Sequence, residues 1–206
     1  MQRRTGAPGV TRRKRRKPEA AETEILDAAE NFLRERPFRD MTVDDVMSAT
    51  GLSRPSFYEY FRDRNHLIIR LTERLGDWTL QMAEPFLVNP DEPVRALETL
   101  AERVVEFYRE RGHLLKAFVD AATQDARVEF ARRGQLRRLA DTVAGFIRAG
   151  MEKGSISGID PDLVASALLL MDEAFLREEL NRDEPDNHDR LVTTLATIWK
   201  RILYKL

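Results

Sequence analysis

Thr42-Val43-Asp44-Asp45-Val46-Met47-Ser48-Ala49-Thr50-Gly51-Leu52-Ser53-Arg54-Pro55-Ser56-Phe57-Tyr58-Glu59-Tyr60-Phe61-Arg62-Asp63-Arg64-Asn65-His66-Leu67 reads as two short helices joined by a tight turn. Thr42 is placed to cap the first, and Asp44 and Asp45 in its opening turn favour the positive end of the helix dipole. Gly51 reads as the left-handed residue that stops it. Ser53 is then the cap of a second helix with Pro55 in its first turn, where a missing N–H costs little. Leu52, Phe57 and Phe61 fall at helical spacing and anchor that helix to its neighbours. Asp63 is the expected cap of a third helix.

This layout is how a small helical domain presents side chains to a DNA groove. Arg54, near the start of the second helix, suits a guanine edge, which it pairs bidentately. Thr42, Ser53, Pro55, Ser56, Tyr58, Tyr60 and Arg64 are the other expected DNA contacts, the hydroxyls and Arg64 through phosphates that fix register. The competing reading is an αα-hairpin with packed tyrosines and solvated arginines.

The same residues resemble the DNA-binding signature of the TetR family of transcriptional regulators. There a glycine turn precedes a serine, a short recognition helix, Phe-Tyr-x-Tyr-Phe (here 57–61) and a basic residue. A weaker similarity to one member lies at Leu168–Glu173 and Ile198-Trp199. Arg64-Asn65 departs from the usual Lys-Glu; arginine keeps the charge but changes the contact geometry. The signature covers about an eighth of the chain, and length and helical layout extend the match. The resemblance implies an all-α protein with a three-helix helix-turn-helix domain and a larger C-terminal helical domain for ligand binding and dimerisation. The expected division is a disordered basic arm over 1–18, the DNA-binding domain over 19–66 and the second domain over 67–206.

Charge distribution agrees with a DNA-facing end. Residues 1–17 hold eight lysines and arginines and no acid, so a net charge of −1 for the whole chain leaves −9 on the remainder. A basic arm on an acidic body fits a polyanion at one end only. Arg13, Arg15 and Arg16 are expected to follow phosphates or enter the minor groove. The chain has no cysteine, and its three histidines are scattered, so no metal site or cofactor is expected. No apolar stretch is long enough to span a bilayer, and the N-terminus lacks a secretory apolar region. A cytoplasmic location is expected.

Helical periodicity continues over Glu22–Arg36, Asn65–Phe86, Pro93–Arg111, His113–Ala122, Ala126–Lys153, Pro161–Asn181 and Asp189–Leu206. Pro85 is expected to end or kink the second of these. The last two helices carry more apolar surface than one small domain can cover, which points to a homodimer packing four helices across a two-fold. Such a dimer sets two recognition helices about 34 Å apart, matched to a palindromic operator in double-stranded DNA.

A pocket for a small apolar ligand is expected in the larger domain. Its candidate lining is Met82, Phe107, Tyr108, Phe118, Phe146, Met151, Met171, Phe175 and Trp199, together with Asp172. Asp172 sits among apolar helical neighbours, so it needs a partner or must neutralise. Two readings stay open: a ligand contact, or a structural ion pair with an arginine such as Arg148. The resulting expectation is a repressor that a small ligand releases from its operator. The alternative is a ligand-independent DNA-binding or scaffolding protein. An enzyme is disfavoured, because no nucleophile, metal cluster or phosphate-binding glycine loop appears.

Overall fold

A computed structural model describes residues 18–88, 90–180 and 187–204. Its described helices are α1 (Pro18–Glu35), α2 (Val43–Ser48), α3 (Arg54–Tyr60), α4 (Arg64–Leu87), α5 (Pro93–Ala122), α6 (Ala126–Glu152), α7 (Pro161–Glu179) and α8 (His188–Tyr204). A 3-10 turn at Phe38–Asp40 links α1 to α2. There is no strand among the described residues, so the all-α expectation holds.

Local chemistry explains the first boundaries. Thr42 caps α2 through a capping box: its Oγ1 accepts from the Asp45 N–H at 3.1 Å, and its own N–H donates to Asp45 Oδ2 at 3.0 Å. Gly51 does not stop α2 by turning left-handed; among the described residues the positive-φ glycines are Gly154 and Gly158, between α6 and α7. Instead Thr50 donates its hydroxyl to the Met47 carbonyl and accepts from the Leu52 N–H, while the Gly51 N–H donates to Glu24 of α1 at 2.7 Å. Ser53 holds the cap position of α3, but its hydroxyl meets that of Ser56 at 3.0 Å rather than a backbone N–H. Asp63 caps α4 by accepting from the His66 N–H at 2.7 Å.

Two boundaries differ from the sequence expectation. α5 is one helix, with no break at Arg111–His113. Gly112 costs a helix about 1 kcal/mol relative to alanine. Buried Val105 and Phe107 before it, and Leu114, Ala117 and Phe118 after it, offset that cost. α4 runs past Pro85 to Leu87, because a proline this close to the end removes little hydrogen bonding.

α4 is common to two of three cores. The first gathers α1, α2, α3, the opening half of α4 and the closing half of α5, with Phe38, Phe57, Phe61, Ile68 and Phe118 at its centre. The second joins the closing half of α4 to α6, α7 and α8, and the third lies between α5, α7 and α8. Arg74 of α4 also reaches Asp27 and Glu30 of α1 at 2.6 and 2.8 Å. The first core therefore crosses the boundary expected at residues 66 and 67. α4 and α6 approach closely at Gly76, where a Cβ would lie 2.3 Å from Gln135 Oε1.

Candidate DNA-binding and ligand-binding sites

Phe57 and Phe61 are fully buried, which fixes the rotation of α3 and turns Arg54, Pro55 and Tyr58 to solvent. Arg54 and Tyr58 lie one helical turn apart on that outer face. Arg54 is not idle: its Nη1 donates to Asp44 Oδ1 of α2 at 2.6 Å. Ser53 and Thr42 are also exposed, though the Thr42 hydroxyl is committed to Asp45, and Ser56 is half-buried. Tyr60 packs against the first core. Arg64 points inward, donating to the carbonyls of Met41 and Arg39 at 3.1 and 3.4 Å and lying over the Phe38 ring. It braces the loop before α2. Arg13, Arg15 and Arg16 lie outside the described residues.

A polar cluster ties this unit to the rest of the molecule. Arg127, opening α6, reaches Asp63 at 3.2 Å and Asp125 at 2.6 Å, and Asn65 of α4 donates to Asp125 at 2.8 Å. The Arg127 guanidinium beside Asp125 holds that carboxyl well below the usual carboxylate range.

A cavity of about 90 Å³ lies between the helices farther from α3. α4 contributes Thr79, Met82 and Ala83; α5 contributes Val104, Phe107 and Tyr108; α6 contributes Leu136, Leu139 and Val143. Leu169 and Asp172 of α7, with Leu195 and Trp199 of α8, close the far side. A second compartment of similar size shares Thr79, Tyr108 and Leu136 with the first and extends to Gln135, Arg132 and Glu173.

Asp172 is the acidic residue of the apolar compartment, and it is 7% exposed. The Trp199 indole Nε1 donates to its two carboxylate oxygens at 3.1 and 3.3 Å. Burial pushes its carboxyl up to about 7, a rise that the Trp199 N–H partly opposes. Arg148 does not reach it and pairs with Asp162 instead, because both side chains lie in solvent at the α6–α7 corner. Burial, and then the nearby carboxylates of Glu173 and Asp172, push the Tyr108 hydroxyl far above its ordinary range.

Residues 25–71 match the family model for bacterial regulatory proteins of the tetR family, and residues 97–205 match that for the C-terminal domain of the transcriptional regulator EthR. The chain belongs to the TetR family. It is a DNA-binding transcriptional regulator of the repressor type and not an enzyme. It is similar to the HTH-type transcriptional regulator EthR of Mycobacterium tuberculosis, at 29% identity over 89% of this chain and 87% of that protein. EthR of Mycolicibacterium smegmatis is 26% identical over 97% of this chain and 94% of its own length. Salmonella enterica GusR superposes with a TM-score of 0.75 at 17% identity, covering 93% of this chain and 99% of its own. SmeT, the repressor of the Stenotrophomonas maltophilia multidrug efflux pump SmeDEF, gives 0.71 at 19% identity, covering 90% and 91%.

In this TetR-family chain the structure gathers only part of the expected ligand lining. Met82, Phe107, Tyr108, Asp172 and Trp199 converge on the cavity. Phe118 borders the second compartment, Phe146 is spent in the second core, and Met171 and Phe175 pack in the cores around α7. Met151 is in solvent. Aliphatic residues such as Leu139, Val143 and Leu195 form the other walls, and nothing in their local sequence sets them apart from ordinary core positions. Thr79 had a signal, a hydroxyl residue on the apolar stripe between Leu75 and Met82. No described helix is long and apolar enough to cross a membrane.

Proposed function

We propose that the chain acts as a homodimeric repressor that binds a palindromic operator and is released when a small apolar molecule enters the α4–α8 cavity. The observation that carries this reading is the double membership of α4. Its first half shares a core with α3, and its second half supplies Thr79, Met82 and Ala83 to the cavity. A ligand that spreads α4 from α6 tilts α4 and moves α3 with it.

The dimer is supported by an apolar edge on α7. Leu163 and Leu170 are 70% and 51% exposed, with exposed Ala167 between them and Ala174 beyond, at helical spacing. Pairing that edge and α8 with a second copy removes it from water and sets two α3 helices on one face of a duplex. A coupling of roughly 1–3 kcal/mol between ligand and operator gives a usable response.

The test begins with selection of genomic fragments by the purified protein. A recovered palindrome is then titrated, by fluorescence anisotropy, in the presence of lipophilic compounds that raise the melting temperature. Stabilising compounds that weaken operator binding are the expected result. Stabilisation with no effect on operator affinity makes the chain a ligand-independent DNA binder.

A further inference from the structure

Asp172 is an incomplete polar site inside an apolar chamber. A carboxylate offers about four acceptor positions, and Trp199 supplies a single N–H shared between the two oxygens. No cation among the described residues pairs with it. Arg132 and Arg177 are directed to Glu173 at 3.1 and 3.9 Å, and Arg148 to Asp162. A wholly neutral, apolar occupant would bury the carboxyl further and leave its remaining acceptor sites empty.

Trp199 donates its N–H to Asp172, and Tyr108 stands close enough to feel the Asp172 charge, so both border the space beside it. The Trp199 N–H edge faces the carboxylate, so the attraction for a cation comes from the carboxylate itself. The groups facing Asp172 are few: Tyr108 from α5 and Trp199 from α8, with Glu173 beside it on α7 engaged by Arg132 of α6. The same chamber continues along Leu87, Leu97 and Leu100, apolar walls against which a tail can lie.

Resting on the reading of this cavity as the effector site, we infer that its preferred ligand is a cationic amphiphile, a protonated amine on a compact apolar body whose ammonium group pairs with Asp172. The protein would thereby sense lipophilic amines in preference to equally lipophilic neutral molecules. An alkylammonium group, like a lysine side chain, keeps its proton well above neutral pH. Because burial holds much of Asp172 protonated in the empty site, amine uptake expels that proton to the buffer.

The test uses the full-length chain and matched probes, n-hexylamine against 1-hexanol and n-octylamine against 1-octanol, by titration calorimetry at pH 6 and pH 8. Each amine is expected to bind about ten- to a hundredfold more tightly than its alcohol, the range of a charge-assisted hydrogen bond. Proton release at pH 6 should diminish at pH 8. Asp172→Asn, which retains an acceptor for the Trp199 N–H, should erase the preference and the proton release while still admitting the alcohols. Amine and alcohol binding equally to the wild-type protein overturns the cationic preference and leaves the effector cavity standing. If neither class binds, the effector-site reading fails too. Should Asp172→Asn not fold, the wild-type comparison and its proton release decide alone.

Discussion

Arg127 places its guanidinium 3.2 Å from the carboxylate of Asp63, so the first residue pair of α6 grips the cap of α4. α6 also lines the cavity with Leu136, Leu139 and Val143. A displacement of α6 by a bound molecule therefore reaches the α3–α4 junction directly. Arg127→Ala is expected to leave operator affinity without ligand within about twofold. It should cut the ligand's effect on that affinity by about 0.5–2 kcal/mol, measured by anisotropy titrations with and without ligand. An undiminished ligand effect removes the pair from the route.

Asp44 holds the guanidinium that the proposed reading of DNA assigns to Arg54. Breaking the Arg54–Asp44 pair costs little folding stability, since both side chains are more than half exposed. Asp44→Ala should tighten operator binding, because it frees the guanidinium and removes a like charge from the phosphates. Arg54→Ala should weaken binding by about 1–3 kcal/mol if it reads a base. A uniform loss across all sequences, with the salt slope lowered by about one, assigns Arg54 to a phosphate instead.

Asp172 makes stability depend on pH in an unusual direction for a carboxyl. Its folded-state value is raised to about 7, while the unfolded chain titrates near 3.8. The folded form thus holds the extra proton between those values, and the group's contribution falls as pH rises from about 4 to about 7. The slope is at most about 1.4 kcal/mol per pH unit. Urea denaturation of the wild type against Asp172→Asn should show a gap that widens over that window in favour of the variant and is flat above it.

Gly76 and Gln135 form a steric pair. Gly76→Ala should gain about 1 kcal/mol of helix propensity but push Gln135 aside, at the border of the second compartment. Combined with Gln135→Ala, the clash disappears and the full gain should register in the melting temperature. A non-additive double-mutant cycle is the expected signature.

The α7 edge is tested by charge. Leu163→Glu with Leu170→Glu should convert the proposed dimer to a monomer in analytical ultracentrifugation, with circular dichroism unchanged, and should abolish tight operator binding. An unaltered mass places the interface elsewhere.

The sequence carried the helical skeleton because its signals are local: Thr42 and Asp63 are caps, and Phe57 and Phe61 are spaced for one face. It erred where tertiary burial outweighs local preference, as at Gly112 inside α5, or where a distant side chain completes a turn, as Glu24 does for Gly51. Asp172 stood out by its apolar neighbours. Its real partner, Trp199, is 27 positions away on another helix, and no periodicity links the two. Arg64 shows the same limit, since only the folded loop reveals the carbonyls it holds.

The shared first core has a practical consequence for anyone building hybrid regulators. Ending a transplanted DNA reader at residue 66 would strip away Ile68, Leu71 and Leu75, all at most 4% exposed, together with the Arg74 clasp on α1. The closing half of α5 would be lost as well, and Phe57 and Phe61 would lose part of their cover. A chimaera that borrows this operator specificity must therefore take its crossover within α4 beyond Leu75. It must also preserve the α5 segment from Leu114 to Ala121, carrying a non-contiguous block of the chain instead of a simple N-terminal piece.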